Sequence, residues 1–165
     1  MKALRGLFVV LALLSCAVVS AQNETGNSVY EQVAAISERY KNAKGVKSFE
    51  AQDGFKLQTV KLMLRKEFGR EFVDNIKTFV VVFYKDAKAD VVEKIVADIE
   101  QIAATLQSVN IDSQLKPGGK AQGYVRLSEN GEVLTDLLVV TEKPSPKFVY
   151  FGGRFKPENI QYNPK

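Results

Sequence analysis

After residue 16 this chain contains no cysteine, and it contains no histidine anywhere. The folded part therefore has no disulfide, and it lacks the Cys and His ligands of the zinc sites that hold many small domains together. A buried apolar core must carry the stability alone. The same absence removes whole classes of chemistry. Ser-His-Asp and Cys-His nucleophile systems are excluded. Acid–base work would fall to Asp, Glu, Lys or Tyr, and only oxygen-ligand metals remain open. No catalytic residue, metal ligand or cofactor is assigned from the sequence.

The first 21 residues have the layout of a secretory signal peptide. Lys2 and Arg5 give a positive start, and Leu7–Val19 is almost wholly apolar. Val19-Ser20-Ala21 then places small residues where a signal peptidase cuts. Cleavage is expected between Ala21 and Gln22, which puts the protein in a periplasm or at a cell surface. The apolar run is short of the roughly 20 residues that a membrane span needs. Charged residues interrupt every later apolar segment. Leu13-Leu14-Ser15-Cys16 offers a second route, in which Cys16 is lipidated and becomes the first residue. Leu14 is bulky for that route, and Ala17-Val18-Val19 continues the apolar run beyond the cysteine, so cleavage after Ala21 is favoured.

Removing 21 residues from 165 leaves 144, enough for one domain with a real core. The leader takes two of the 23 basic residues with it. The remaining 21 stand against 19 acids, a net charge of +2. A balance so near neutral argues against a nucleic-acid partner, which calls for a concentrated basic face.

Residues 22–27 are polar and read as a flexible leader; residues 28–165 read as a single α+β domain. Asn23-Glu24-Thr25 matches a glycosylation sequon, of consequence only in a eukaryotic secretory route. Ser28-Val29-Tyr30-Glu31 is a capping box. It opens a helix with Val29, Val33, Ile36 and Tyr40 on one face. Val46–Ala51 alternates like a short strand. A second helix is predicted over Phe55–Phe68, with Leu57, Val60, Leu64 and Phe68 inward and Gly69 ending it. A further turn at 71–75 follows. Ile76–Tyr84 is dense in β-branched and aromatic residues and reads as a central strand buried on both faces. Ala89–Ser108 repeats the 3-4 spacing through Val92, Ile95, Val96, Ile99, Ile102, Ala103 and Leu106. Strands are then expected at 124–128 and 132–141, joined through Asn130-Gly131 as a type I′ hairpin. Lys147–Phe151 follows as a third strand, ended or bulged by Gly152-Gly153. Pro157–Ile160 reads as a short closing helical turn. This order implies an α+β, two-layer sandwich, with helices packed on one face of a mostly antiparallel sheet that ends in a three-stranded meander.

Each candidate site has a plainer alternative. Lys56, Lys61, Arg65 and Lys66 decorate the second helix and mark a surface for anionic lipid or polysaccharide. An ordinary solvated helix face is the favoured alternative. Tyr150, Phe151, Arg154 and Phe155 surround two glycines, a composition suited to stacking on a sugar or peptide. A last strand packed on the core is the favoured alternative. Glu129, Glu132 and Asp136 gather near the hairpin, where paired carboxylates could serve acid–base chemistry or calcium. Polar flanks of a tight turn account for the two glutamates. Lys116-Pro117-Gly118-Gly119-Lys120 fails as a phosphate loop, because no Ser or Thr follows Lys120 and no strand precedes it.

The C-terminal half carries a resemblance. Tyr124-Val125-Arg126-Leu127, the Asn130-Gly131 turn, Leu137-Leu138-Val139-Val140 and Phe148–Ile160 together resemble the ending of the domain-of-unknown-function family 4252. The Lys44-Gly45-Val46 segment fits as well, while the segment after Phe49 departs from the pattern. Members of that family resemble small exported proteins of Bacteroidota-type bacteria. The family has no assigned activity, so the resemblance implies a compartment and a domain extent and transfers no site residue.

The sequence thus leads to an exported, non-enzymatic envelope protein acting as an interaction or accessory module, with an unknown protein or envelope component as partner and room for peripheral membrane contact. A carboxylate-dependent envelope hydrolase and a lipid- or glycan-contacting surface protein are the alternatives. Mass spectrometry of the exported protein is expected to find Gln22, or its pyroglutamate, at the N-terminus. A diacylglyceryl mass on Cys16 would reverse that reading.

Overall fold

The capping box closes as the sequence predicts. In this computed structural model, which describes residues 28–109, 121–142 and 144–156, the Ser28 hydroxyl accepts from the Glu31 N–H at 3.2 Å. The Glu31 carboxylate accepts from the Ser28 N–H at 2.8 Å. Two of the orphan donors at the helix start are satisfied in this way. Helix α1 (Val29–Tyr40) follows, then β1 (Lys47–Ala51), α2 (Gly54–Phe68), α3 (Arg70–Asp74) and β2 (Ile76–Phe83). Next come α4 (Ala89–Ala103), β3 (Gln107–Val109), β4 (Ala121–Leu127), β5 (Leu134–Thr141) and β6 (Lys147–Phe155). The expected signal peptide, leader, Lys116–Lys120 loop and closing turn at 157–160 lie outside the described residues.

The six strands form one antiparallel sheet in the order β1-β2-β6-β5-β4-β3. The α+β class, the antiparallel pairing and the closing β4-β5-β6 meander are those expected. The layering is fuller than expected, because helices cover both faces of the sheet. Alternation along β2 sends Phe79 and Val81 to one side and Val80 and Val82 to the other. Phe79 and Val81 pack with Leu57 and Val60 of α2, Phe72 and Val73 of α3, and Phe151 and Phe155 of β6. Val80 and Val82 pack with Val29, Val33 and Ile36 of α1, Ile95, Ile99 and Ile102 of α4, and Phe148 and Tyr150 of β6. A strand that is apolar on both faces needs cover on both faces, and the four helices divide two and two.

Aromatic rings tie the α2–α3 layer to the sheet. Phe72 stacks on Phe155 with ring centres 4.7 Å apart and meets Phe151 edge-on at 5.5 Å. Phe68 and Phe79 lie 5.7 and 5.4 Å from Phe151. On the other side, Asp98 of α4 accepts from Arg39 at 2.6 Å and from Tyr40 at 2.9 Å, joining α4 to α1.

Three local expectations need correction. The helix predicted to reach Ser108 stops at Ala103. Thr105 and Leu106 turn the chain through bonds to the Ile102 and Ala103 carbonyls, and Gln107–Val109 enters the sheet as the edge strand β3. The β4–β5 reversal is a four-residue loop in place of a type I′ turn. The Ser128 N–H donates to the Val133 carbonyl, and Gly131 supplies a φ of +72°. Strand β6 does not end at Phe151 but runs on to Phe155, while the bulge expected at its two glycines is present as register shifts opposite them in both neighbours, between Ile76 and Thr78 and between Leu134 and Asp136.

The buried stripe of α4 sets a clear expectation. Ile99 is 3 % exposed, and Ile99→Ala is expected to cost about 2–5 kcal/mol in urea denaturation. Lys94→Ala, at an exposed position of the same helix, is expected to stay within about 0.5 kcal/mol. Equal costs at the two positions would mean that the helix is turned the other way.

Candidate functional site

Sheet width and helix width do not match on the α1–α4 face. Six strands at about 4.8 Å spacing make a surface nearly 30 Å across, whereas two helices cover about 20 Å. Helix α1 lies over β1, β2 and β6, and α4 packs beside it. The far strands are left partly bare, and a cleft of about 870 Å³ opens between α4 and the β4–β5 hairpin.

The walls of this cleft are largely apolar. Val92, Val96, Ile99 and Ala103 form the α4 side, and Tyr124 and Val140 form much of the sheet side. Val92, Val96, Tyr124 and Val140 are only half-buried, so apolar surface stays accessible there. The polar groups are few. Glu100 and Glu142 contribute carboxylates, Gln122 and Thr141 contribute neutral groups, and the buried Tyr84 contributes a phenol. Burial, together with the charge of Glu142, raises the pKa of Tyr84 and keeps that phenol neutral.

A second polar constellation lies on the same face of the sheet. The Tyr150 hydroxyl donates to Asp136 at 2.7 Å, and the Tyr30 hydroxyl donates to Glu50 at 2.8 Å. The two tyrosine rings are 6.2 Å apart. Burial first, then the hydrogen bond to Glu50 and the charges of Glu50 and Asp53, lift the Tyr30 pKa from 10.0 to about 12. Burial and the bond to Asp136 push the Tyr150 pKa up as well. Both phenols are thus held as neutral donors. Asp136 also accepts from the Thr135 hydroxyl at 2.9 Å. Asp136 has both oxygens and Glu50 one oxygen engaged by structural partners, and this arrangement pins α1 to β1 and β6 to β5.

The residues singled out from the sequence are scattered. Tyr150, Phe151 and Phe155 are buried at 2, 2 and 0 % exposure. Tyr150 faces α1, while Phe151 and Phe155 face α2 and α3. Only Arg154 is exposed. The four therefore do not make a common binding surface, because alternation along a doubly covered strand buries each aromatic in one core or the other. Of the basic set on α2, Lys61 is buried and its ammonium donates to the Asp74 carbonyl at 3.0 Å. Burial and the nearby Lys77 lower its pKa. Arg65 pairs with Asp74 at 2.9 Å. These two fasten α2 to the end of α3, and Lys56 and Lys66 alone stay on the open surface. Glu129 and Glu132 are exposed in the β4–β5 loop, and Asp136 is separated from them by its bond to Tyr150.

The cleft was not apparent in the sequence. Its one signal is the breadth of the α4 apolar stripe, in which Val92, Val96 and Ala103 stand to one side of Ile95, Ile99 and Ile102. Among the described residues there is no group of three or more Asp, Glu, Cys or His side chains placed to hold a metal ion, and no helix is long and apolar enough to cross a membrane. Comparison with family models, curated proteins and solved structures finds no match to this chain.

The raised Tyr30 pKa carries a sign. Folding favours the neutral phenol, so its contribution is complete below pH 10 and fades as pH climbs toward about 12. Unfolding free energy measured across that window is expected to fall less steeply in Tyr30→Phe than in the parent protein. Parallel curves would remove the phenol–Glu50 pair from the alkaline response.

Proposed function

We propose that this chain is an exported, non-enzymatic envelope protein, a binding module that takes an apolar ligand bearing a cationic group in the α4/β4–β5 cleft. The cleft itself carries the reading. A volume of about 870 Å³ falls in the range of small-ligand sites, about 300–1,000 Å³. Half-buried aliphatic side chains around an opening offer the apolar contact that such ligands need. Two glutamates in the lining attract a cation. Two tyrosines, Tyr84 and Tyr124, add aromatic faces, the chemistry that suits an alkylammonium group.

The hydrolase alternative finds less support. It would need two carboxylates free to exchange protons with a substrate. Asp136 and Glu50 are engaged by Tyr150 and Tyr30, Glu129 and Glu132 stand exposed in a loop, and the two carboxylates of the cleft, Glu100 and Glu142, are themselves exposed to solvent rather than enclosed with a substrate. Export and an envelope location continue to rest on the pattern of residues 1–21, and the likeness to the family of unknown function rests on the C-terminal motifs.

Octyltrimethylammonium, followed by amide NMR shifts, tests the proposal. Saturable shifts confined to α4, β4 and β5 are expected, with about tenfold weaker binding in the Glu100→Gln/Glu142→Gln double variant. Val96→Asp, in the half-buried wall, is expected to abolish them. Shifts spread over the whole surface, or equal binding of octyl sulfate, would sink the reading.

A further inference from the structure

Helix α2 carries two apolar stripes, and the fold uses only one. Leu57 and Val60 are buried, and Leu64 and Phe68 pack beside them against the sheet. On the opposite side stand Phe55, Leu62 and Met63, at 86, 65 and 64 % exposure. With Thr59 and Lys66 they occupy positions i, i+4, i+7, i+8 and i+11, which a helix brings onto one face about 16 Å long. Single exposed apolar residues are ordinary on any protein. Three large ones aligned on a single helix face are not explained by scatter.

The charge around this stripe is mainly positive. Lys66 lies within it and Lys56 borders it. Both are exposed, and neither takes part in an ion pair among the described residues. Glu67 is the only acid in the helix, and like Lys56 it borders the stripe rather than lying within it. Lys61 and Arg65 are turned away to Asp74 and lie off the stripe. The stripe is also convex. It runs along the outward side of a helix that is itself an outer layer of the fold, where a flat partner can reach it.

We infer that α2 docks on the surface of an anionic lipid bilayer. Phe55, Leu62 and Met63 enter the boundary between headgroups and acyl chains, while Lys56 and Lys66 extend to lipid phosphates. This is the balance of an interfacial helix, in which apolar burial and attraction to negative headgroups add. The long lysine stems cover apolar surface while their ammonium groups stay in the wet layer. The site is independent of the cleft and stands or falls separately from it.

Vesicle flotation tests the inference, using the chain from Gln22 onward so that residues 1–21 contribute no membrane affinity of their own. That chain retains every described element of the fold. It is expected to float with vesicles of equimolar phosphatidylglycerol and phosphatidylcholine, and to remain behind with phosphatidylcholine alone. Raising salt from about 0.1 M to about 0.5 M is expected to weaken binding, since screening shortens from about 10 Å to a few Å. Phe55→Ser/Leu62→Ser and Lys56→Glu/Lys66→Glu are each expected to lower partitioning at least about tenfold. Because all four positions are exposed, both double variants should keep the parent's melting temperature. Unchanged partitioning in either double variant would overturn the inference, as would equal binding to neutral vesicles. Light scattering supplies a further check. A dimer that Phe55→Ser/Leu62→Ser dissolves would overturn it in favour of a contact between two copies.

Discussion

Strand β6 is the member on which the rest of the structure depends. It lies between β2 and β5 and is covered on both sides. Phe148 and Tyr150 enter the core under α1 and α4, and Phe151 and Phe155 enter the core under α2 and α3. One strand thus anchors both hydrophobic layers in a domain that has no disulfide to hold them. The two glycines make this arrangement possible. A side chain at 152 would collide with the Thr78 hydroxyl and the Tyr150 phenol, and one at 153 with the Asn75 carbonyl and the Phe155 ring. Glycine lets the backbones of β2 and β6 approach where their register shifts. It also leaves room for the Tyr150 hydroxyl to reach Asp136.

Much of this fold was legible because local patterns agreed with tertiary demands. The Ser28–Glu31 box, the stripe of α1 and the break at Gly69 are decided within a few residues, and each forms as read. The central strand is legible too, in its run of β-branched and aromatic residues. Residues 76–84 are apolar on both faces, which is incompatible with a sheet covered by helices on one side only. The 2-2 division of the helices was therefore implicit in the same residues that identified β2. The end of α4 was harder. Leu106 continues the helical spacing in sequence, yet it is partly buried against the same core from the turn that follows the helix. Periodicity records that a residue points inward, and it does not record which backbone puts it there.

The two candidate surfaces were hidden for different reasons. The cleft arises from a mismatch of widths between two helices and six strands, a property of the assembled layers with no counterpart in any short segment. Its acidic residues, Glu100 and Glu142, are 42 positions apart in the chain. The exposed stripe of α2 was obscured by success. Leu57, Val60, Leu64 and Phe68 suffice to account for the helix as amphipathic, so Phe55, Leu62 and Met63 carry no separate local signal. A helix with apolar residues on two opposite faces has little contrast between its sides, and only burial separates the face that folds from the face left open. The basic residues were read as one patch, but burial and ion pairing divide them. Lys61 and Arg65 act inside the fold, and Lys56 and Lys66 act at its surface.

The two surfaces lie on opposite layers, and this relation bears on how they would work together. The cleft belongs to the α1–α4 side of the sheet, and the stripe belongs to the outward side of α2, on the other face. A molecule resting on a bilayer through α2 would therefore turn its cleft away from the lipid and toward solvent. A ligand would enter from the aqueous side without displacing the protein from the membrane. The sheet between the two is buried on both faces across β2 and β6, where Phe148 and Tyr150 enter one core and Phe79, Phe151 and Phe155 the other. The two surfaces are then kept apart by the full thickness of the sheet and its two cores, which is the arrangement expected when one holds the protein in place and the other collects a ligand.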